Sequence, residues 1–274
     1  MGSDESGEAV CGLPGVTRDA QPIHRVYVDG FWMDATDVTN EQFARFVAAT
    51  GYVTVAEGTP TSQAFPGAPP ENLVAGSLVF TPTAEPVPFD NIYRWWRYQK
   101  GANWRHPQGP PGDIKGREKY PVVQIAYGDA AAYAKWAGKR LPTEAEWEKA
   151  ATLGPTPDSR QQFPWGDAHA DEKKANLFEN GFWAVAPVGS FPEGQTPPGC
   201  HQMIGDVWEW TTSDYVPYPG FKTEFDEYND KWFVGQKVLR GGSFATPSAH
   251  IRSTYRNFFY PHERWMIAGF RCAK

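Results

Sequence analysis

The chain has 274 residues, a length that suits one large domain or two small ones and can bury a sizeable core. Its net charge of -6 comes from acids and bases scattered without long blocks, which excludes a nucleic-acid groove and a polybasic membrane patch and leaves a small molecule or a protein as the expected partner. No apolar run approaches the roughly 18 residues of a membrane helix. The opening MGSDESGEAV lacks the charge and apolar core of a signal peptide, so a soluble, cytoplasmic protein is expected. That opening is as consistent with the trimmed edge of a longer protein as with a native start. With 27 Gly, 25 Pro and 12 Trp, the composition favours loops pinned by large rings over long helices. Cys11, Cys200 and Cys272 are odd in number and far apart, which supports neither a disulfide framework nor a zinc ribbon and makes a reducing compartment the default.

IHRVYVDGFWMDATDVT, residues 23 to 39, alternates apolar and polar residues around Asp29-Gly30 and predicts a hairpin or two successive strands. A helix follows in TNEQFARFVAATG, capped by Thr39 or Asn40, with Phe43, Phe46 and Val47 on one apolar face and Gly51 placed to end it. From about Glu57 to Pro88 no sustained period is visible; loops of this length are often functional. YPVVQIAY predicts a short buried strand, and Gly128-Asp129 caps a second helix through AAAYAKWAG. In LPTEAEWEKAA, Thr143 and Glu146 match a capping box for a third helix with Trp147 on its buried face. Strands and turns return after Gly154 in FPWGD, KANLF, VAPVGSF and QMIGDVWEWTTSDYVPYPGF, and the paired glycines of RGGSFATPSAHI mark a strand end where backbone or ligand approaches closely.

DVTNEQFARFVAATGYVTVAE, WWRYQKGANWRHPQGP, YPVVQIAYGDAAAYAKWAGKRLPTEAEWEKAA, FPWGD, GDVWEWT, VLRGGSF and GFRC, in this order, resemble the formylglycine-generating enzymes and their relatives. The resemblance implies a single α+β domain over residues 1–274 with a C-type-lectin-like fold, loop-rich, with short strands and about three helices. In formylglycine-generating enzymes two cysteines after RGGS hold copper(I) and activate oxygen against a substrate cysteine. Counted from Ser243, those positions are Thr246 and Ile251, and no cysteine occurs between Cys200 and Cys272. Hydroxyl and aliphatic side chains do not replace soft thiolates, so copper is not expected. Cys272 matches a different family cysteine, expected as a buried structural thiol.

IGDVWEWTTSDYVPYPGF, DEYNDKWFVGQKVLRGGSF and HIRSTYRNFFYPHERWMIAGFRCA are instead similar to the ergothioneine-type sulfoxide synthases, which use non-heme iron(II) and oxygen to join a thiol sulfur to a histidine-derived imidazole. Their iron ligands come from a separate helical bundle carrying H-x-x-x-H, and no two of the six histidines here have that spacing. An iron site built by this chain would have to join distant loops, and His201, His250 and His262, all in the stretch that shapes the pocket in relatives, are the candidates to converge. The resemblance further implies substrate contacts from Trp208, Ser243, Asn257 and Phe258, an acid-base role for Tyr215 or Tyr218, and guanidinium forks at Arg252 and Arg256 for a substrate carboxylate. Structural calcium transfers to Gln202, Gly205, Val207 and Glu209, and to Asn176 and Leu177, with Gln202 where the family usually has Asn. Each of these residues also has a purely structural reading, as core ring, turn residue or ion-pair partner.

Three functions are compatible with these features. The chain is expected to be an oxidoreductase domain of the sulfoxide-synthase type acting on a thiol and an imidazole betaine, paired with a separate iron-binding helical domain. A non-catalytic, lectin-like module for a ligand or protein is the alternative. A sulfatase-modifying enzyme is disfavoured by the missing thiolates.

Overall fold

The computed structural model describes residues 18–63, 67, 69–88, 90–154, 156, 159–222 and 233–274. Cys11 and the stretch DEYNDKW lie outside them. Three helices form where the caps predicted them. Helix α1, Asn40–Thr50, starts at Thr39, whose hydroxyl accepts from the Gln42 N–H while the Gln42 side chain accepts from the Thr39 N–H, and it ends on Gly51 at φ 67°. Helix α2, Tyr127–Trp136, starts two residues earlier than a cap at Gly128 would put it: Ala126 is the cap residue, and the Asp129 carboxylate accepts from its N–H at 3.0 Å. Helix α3, Glu144–Thr152, has the Thr143/Glu146 capping box.

Six short strands make two sheets. β1, Gly76–Phe80, pairs antiparallel with β2, Trp96–Lys100, inside the region that shows no period in the sequence. β3, Trp208–Asp214, β4, Lys237–Arg240, β5, Asn257–Phe259, and β6, Ala268–Gly269, form a sheet in the order β5-β4-β3-β6, with β3 and β6 parallel. Trp210, Leu239 and Asn257 lie directly opposite one another across β3, β4 and β5, and Glu209 lies opposite Arg240. Because side chains alternate along a strand, the first set faces one side of the sheet and the second the other.

The first side carries the main core, where Trp208, Trp210 and Leu239 meet Phe43 and Phe46 of α1, Tyr133 of α2, Trp104, Phe244 and Phe270. The second side meets α3, whose Trp147 anchors a smaller core with Phe163, Leu177, Met203 and Ile251.

Two expected strands are absent. Residues 23–31 lie in no strand or bridge, and pairing begins at Trp32, which exchanges backbone hydrogen bonds with Lys274, and at Met33, which bridges Ala273. Pro121–Ala126 is buried, as expected of a core segment, but Gln124 at φ 63° breaks the extended run. The Gln124 side chain turns instead to Ser77, Leu78 O and Pro107 O.

Candidate functional site

Glu144 and Glu148 are one turn apart on α3, on the face that also buries Trp147 and Ala151, so both acids enter the protein and require counter-charges. Arg240, the last residue of β4, supplies the first: its Nη2 donates to Glu144 Oε1 at 2.6 Å and to Glu148 Oε2 at 2.7 Å, and its Nη1 donates to the carbonyls of Ser253 and Tyr255. Arg256 supplies the second, through Nε to Glu144 Oε1 at 2.7 Å, Nη1 to Asp19 O and Nη2 to Val216 O. The Arg256 guanidinium also lies 4.1 Å from the Tyr218 ring centre and 4.8 Å from that of Tyr215. Burial works to raise the Glu144 carboxyl, but Arg240 and Arg256 outweigh it and hold the group below the usual range.

This network changes the reading of three expected site residues. The Tyr218 hydroxyl donates to Glu144 Oε1 at 3.0 Å, and the Tyr215 hydroxyl donates to Asp19 Oδ2 at 2.7 Å. Both phenols are buried, and burial raises Tyr218 far above the ordinary tyrosine range. They belong to a brace between the segment around Asp19, α3 and the sheet rather than standing as open proton donors. Arg256 is corrected likewise: its donors are spent on Glu144 and two backbone carbonyls, which leaves no fork for a substrate carboxylate. Arg252 is buried nearby, and its carbonyl accepts from Tyr255 N.

The chain leaves β4 through Gly241 and Gly242, at φ 100° and 82°. A Cβ at Gly242 would collide with Ile251 Cδ1 and come 3.7 Å from Thr246 Cβ, so close approach as well as conformation selects glycine. Thr246 and Ile251 therefore do converge, and they put a hydroxyl and a branched alkyl group where the resemblance places two thiolates. Ser243 is 1% exposed; its N–H donates to Thr246 Oγ1 at 3.0 Å and the two hydroxyl oxygens are 3.2 Å apart. Trp208 is buried with its ring 5.7 Å from that of Tyr255. The expected Asn257-Phe258 wall is split by the strand's alternation. Asn257 shares the face of Trp208 and Trp210, with its Oδ1 accepting from Phe258 N, whereas Phe258 points to the other face and stacks on Tyr215 at 4.2 Å.

The calcium positions divide in two. Both Glu209 oxygens are taken, Oε2 by Trp147 Nε1 at 2.9 Å and by Arg271 Nε at 2.7 Å, Oε1 by Arg271 Nη2 at 2.9 Å. Gln202 Oε1 accepts from Gly189 N, and its Nε2 donates to Asp206. With Arg271 already neutralising Glu209, the set of Gln202, Gly205, Val207 and Glu209 does not fit a calcium ion. Asn176 differs: its Nδ2 donates to Asp206 Oδ1 at 2.6 Å and to Ala184 O, while its buried Oδ1 has no hydrogen-bond partner. That oxygen, beside Leu177, fits one ligand of a hard cation. Asp206 sits between the two sets, and burial raises it to about 6 against the pull of Asn176, Ala186 N and Gln202.

The three candidate iron histidines do not meet. Among the described residues no group of three or more His, Cys, Asp or Glu side chains is placed to hold a metal ion. His201 is held by backbone bonds to Ala35 O and from Arg271 Nη2, His250 ends the turn Ser248–His250, and His262 stacks on Tyr260. The three histidines sit on separate elements and are not grouped with other metal-binding side chains among the described residues, so this chain alone does not fit an iron site.

A family profile described as the sulfatase-modifying factor enzyme 1-like domain matches residues 2–274. The chain belongs to this family. Among its relatives, the formylglycine-generating enzyme of Mycobacterium tuberculosis (strain ATCC 25618 / H37Rv) is 46% identical over 210 residues, covering 72% of this chain and 68% of that protein. The formylglycine-generating enzyme of Mus musculus is 36% identical, with 100% of this chain and 72% of that protein aligned. The hercynine oxygenase of Mycobacterium tuberculosis (strain ATCC 25618 / H37Rv) is 43% identical over 182 residues; the alignment covers 66% of this chain but only 42% of that protein. Among solved structures, PvdO from Pseudomonas aeruginosa superposes with a TM-score of 0.58 at 25% identity over 93% of this chain and 84% of its own. The sulfatase-modifying-factor family thus accounts for the α+β, loop-rich fold. No helix among the described residues is long and apolar enough to cross a membrane.

Sequence reasoning had missed Glu144, Glu148, Arg240 and Arg271. The signal was present for the two acids, since Glu144 and Glu148 fall on the same helical stripe as Trp147 and Ala151. Their partners lie far along the chain and carry no local mark.

Proposed function

We propose that this chain is the substrate-binding domain of an oxygen-dependent oxidoreductase acting on an imidazole betaine of the hercynine type and a thiol. The observation that carries this reading is the convergence of Thr246 and Ile251 on Gly242, which puts no thiolate where copper(I) chemistry would require two. The 43% identity to a hercynine oxygenase supports the substrate class. Iron, when bound, would supply oxygen activation, and since this chain's histidines do not fit it, the ligands are assigned to a separate histidine-bearing helical domain. The chain's own part is recognition. Trp208 and Asn257 share one face of the sheet, a ring for packing on a trimethylammonium group and an amide for directional hydrogen bonds to an imidazole. Ser243 and Thr246, hydrogen-bonded to each other, are assigned as the polar floor of that pocket.

The commitment of Tyr215, Tyr218 and Arg256 to the internal brace favours a second reading, in which the chain binds its ligand without catalysing anything alone. Calorimetry with hercynine tests both. Saturable binding by the wild type, weakened about fivefold or more in Asn257→Ala by loss of the amide's hydrogen bonds, is expected. Equal heats from the two proteins would reject the site assignment. Copper-dependent conversion of a cysteine peptide to formylglycine would reject the whole reading and leave a sulfatase-modifying enzyme.

A further inference from the structure

Two segments that the proposed substrate site does not use face each other across an open groove of about 420 Å³, a size within the range of small-molecule sites. One wall is Pro164 and Trp165, at the tip of the FPWGD stretch; the other is Pro192, Glu193, Gln195 and Pro197. Each wall is pinned by its own hydrogen bonds. Phe163 and Gly166 exchange backbone bonds at 3.0 and 3.1 Å, which closes the first wall into a tight turn. In the second, Gly194 N donates to Phe191 O, Thr196 N to Cys200 O at 2.9 Å, and Cys200 N to the Thr196 hydroxyl at 3.0 Å. A Cβ at Gly194 would come 1.8 Å from Lys174 O, so this wall is seated directly on the chain behind it. The prolines stiffen both walls further, with fixed φ and no N–H to satisfy.

Trp165 is the feature that points to a ligand. Its indole stacks on Phe163, ring centres 5.2 Å apart and planes 4° from parallel, and its N–H donates to Ala168 O at 2.9 Å. Phe163 is buried in the smaller core, so the indole is held from behind and by its edge, yet it stays half-exposed along the groove. What it offers there is an apolar outer face with no free donor. Polar side chains stand around that face. Glu193 and Gln195 are exposed and enter no side-chain hydrogen bond or ion pair among the described residues, and Gln161 lines the same groove. No Lys, Arg or His lines it, so an anion finds no counter-charge, and a single ring does not make the aromatic cage of a quaternary ammonium. The chemistry that fits is a neutral polyol with a flat apolar side. A gluco-configured pyranose has this form: its equatorial hydroxyls radiate in the plane of the ring, towards amides that donate and accept and a carboxylate that accepts, while axial C–H groups cover its two faces and pack on an indole. We infer that this groove binds a gluco-configured oligosaccharide, with one pyranose on the outer face of Trp165 and its hydroxyls on Gln195 and Glu193.

Cellotriose is the probe. Added to the full chain labelled with nitrogen-15, it should move the Trp165 indole N–H resonance saturably, that resonance being the one missing from Trp165→Phe. Titrations followed at the backbone N–H resonances of Gly194 and Thr196 should then show binding about tenfold or more weaker in Trp165→Ala, and about threefold weaker in Gln195→Ala through loss of one hydrogen bond. Because Gln195 is exposed, that variant is not expected to disturb folding. Trp165→Phe, which keeps a smaller flat face, should fall between wild type and Trp165→Ala. Absence of a saturable shift at tens of millimolar overturns the site, and so does binding that neither Trp165→Ala nor Gln195→Ala weakens. Equal shifts from glycerol would reveal a general polyol effect, and tighter binding of an oligoproline peptide would give the groove to proline-rich segments; either result overturns the inference.

Discussion

On one face of the four-stranded sheet Trp208, Trp210 and Leu239 pack into a core of rings and alkyl groups, whereas on the other Glu209 and Arg240 meet Arg271 and the acids of α3 through buried ion pairs. The first face is held by contacts that are individually small and that neighbours can partly replace. The second is close to all-or-none, because removing one partner leaves the other charged and out of water. The difference also explains which candidate residues proved structural. Tyrosine, arginine and glutamate are the types that catalytic sites employ, and here they gather on the face where they must satisfy one another.

The largest effect is therefore expected from the ionic face. Arg271→Met should lower stability by about 3–5 kcal/mol, because Glu209 is left buried without its counter-ion. Glu209→Gln/Arg271→Met should recover part of that loss, since the amide oxygen can still accept from Trp147. Urea midpoints of the single and double variants measure this, and a double variant as weak as the sum of both singles would remove the all-or-none character. On the other face Leu239→Ala should cost about 2–5 kcal/mol by opening a cavity. That loss should be the same at acidic and neutral pH, and a pH-dependent loss would mean that the two faces are coupled.

A smaller effect separates the faces by titration. Burial raises Asp19 to about 6, against the opposing pull of Arg256 and of Tyr215. A folded-state pKa above the unfolded one contributes stability that is complete below about pH 4 and is lost as pH rises through about 6. Asp19→Asn removes that loss while keeping an oxygen for Tyr215, so its stability relative to wild type should rise between about pH 4 and about pH 7. A difference that stays constant across this window would show that Asp19 does not titrate there. The smallest effect concerns calcium, which should raise the thermal midpoint modestly through Asn176. If the rise survives in Asn176→Ala but disappears in Glu209→Gln, the ion belongs to the Glu209 set after all.

The helices were legible because caps and spacing are local: Thr39 or Asn40 ahead of the Phe43, Phe46 and Val47 face, and Thr143 with Glu146, announce two of them, and the Gln42 half of the first box appears only in the structure. The strands were less so, since β5 and β6 span three residues and two, too few for a period to show. Of the site, the approach at Gly242 was legible from the paired glycines, and the lack of a copper pair from composition. The brace was not, because Tyr215 finds Asp19, and Arg256 finds Glu144, only after distant loops have closed.

Trp32 and Lys274 exchange both backbone hydrogen bonds, Asp34 N donates to Cys272 O and Val38 N to Phe270 O, so the beginning and the end of the described chain are stitched together. Such pairings bear on kinetics. Loops this long must close before their contacts give anything back, which slows folding relative to a helical protein of similar size. Until β6 docks, the backbone edge of β3 at Trp208 and Glu209 is an unpaired template that another unfolded copy can occupy. Refolding from denaturant should accordingly be slow, with a yield that falls as protein concentration rises.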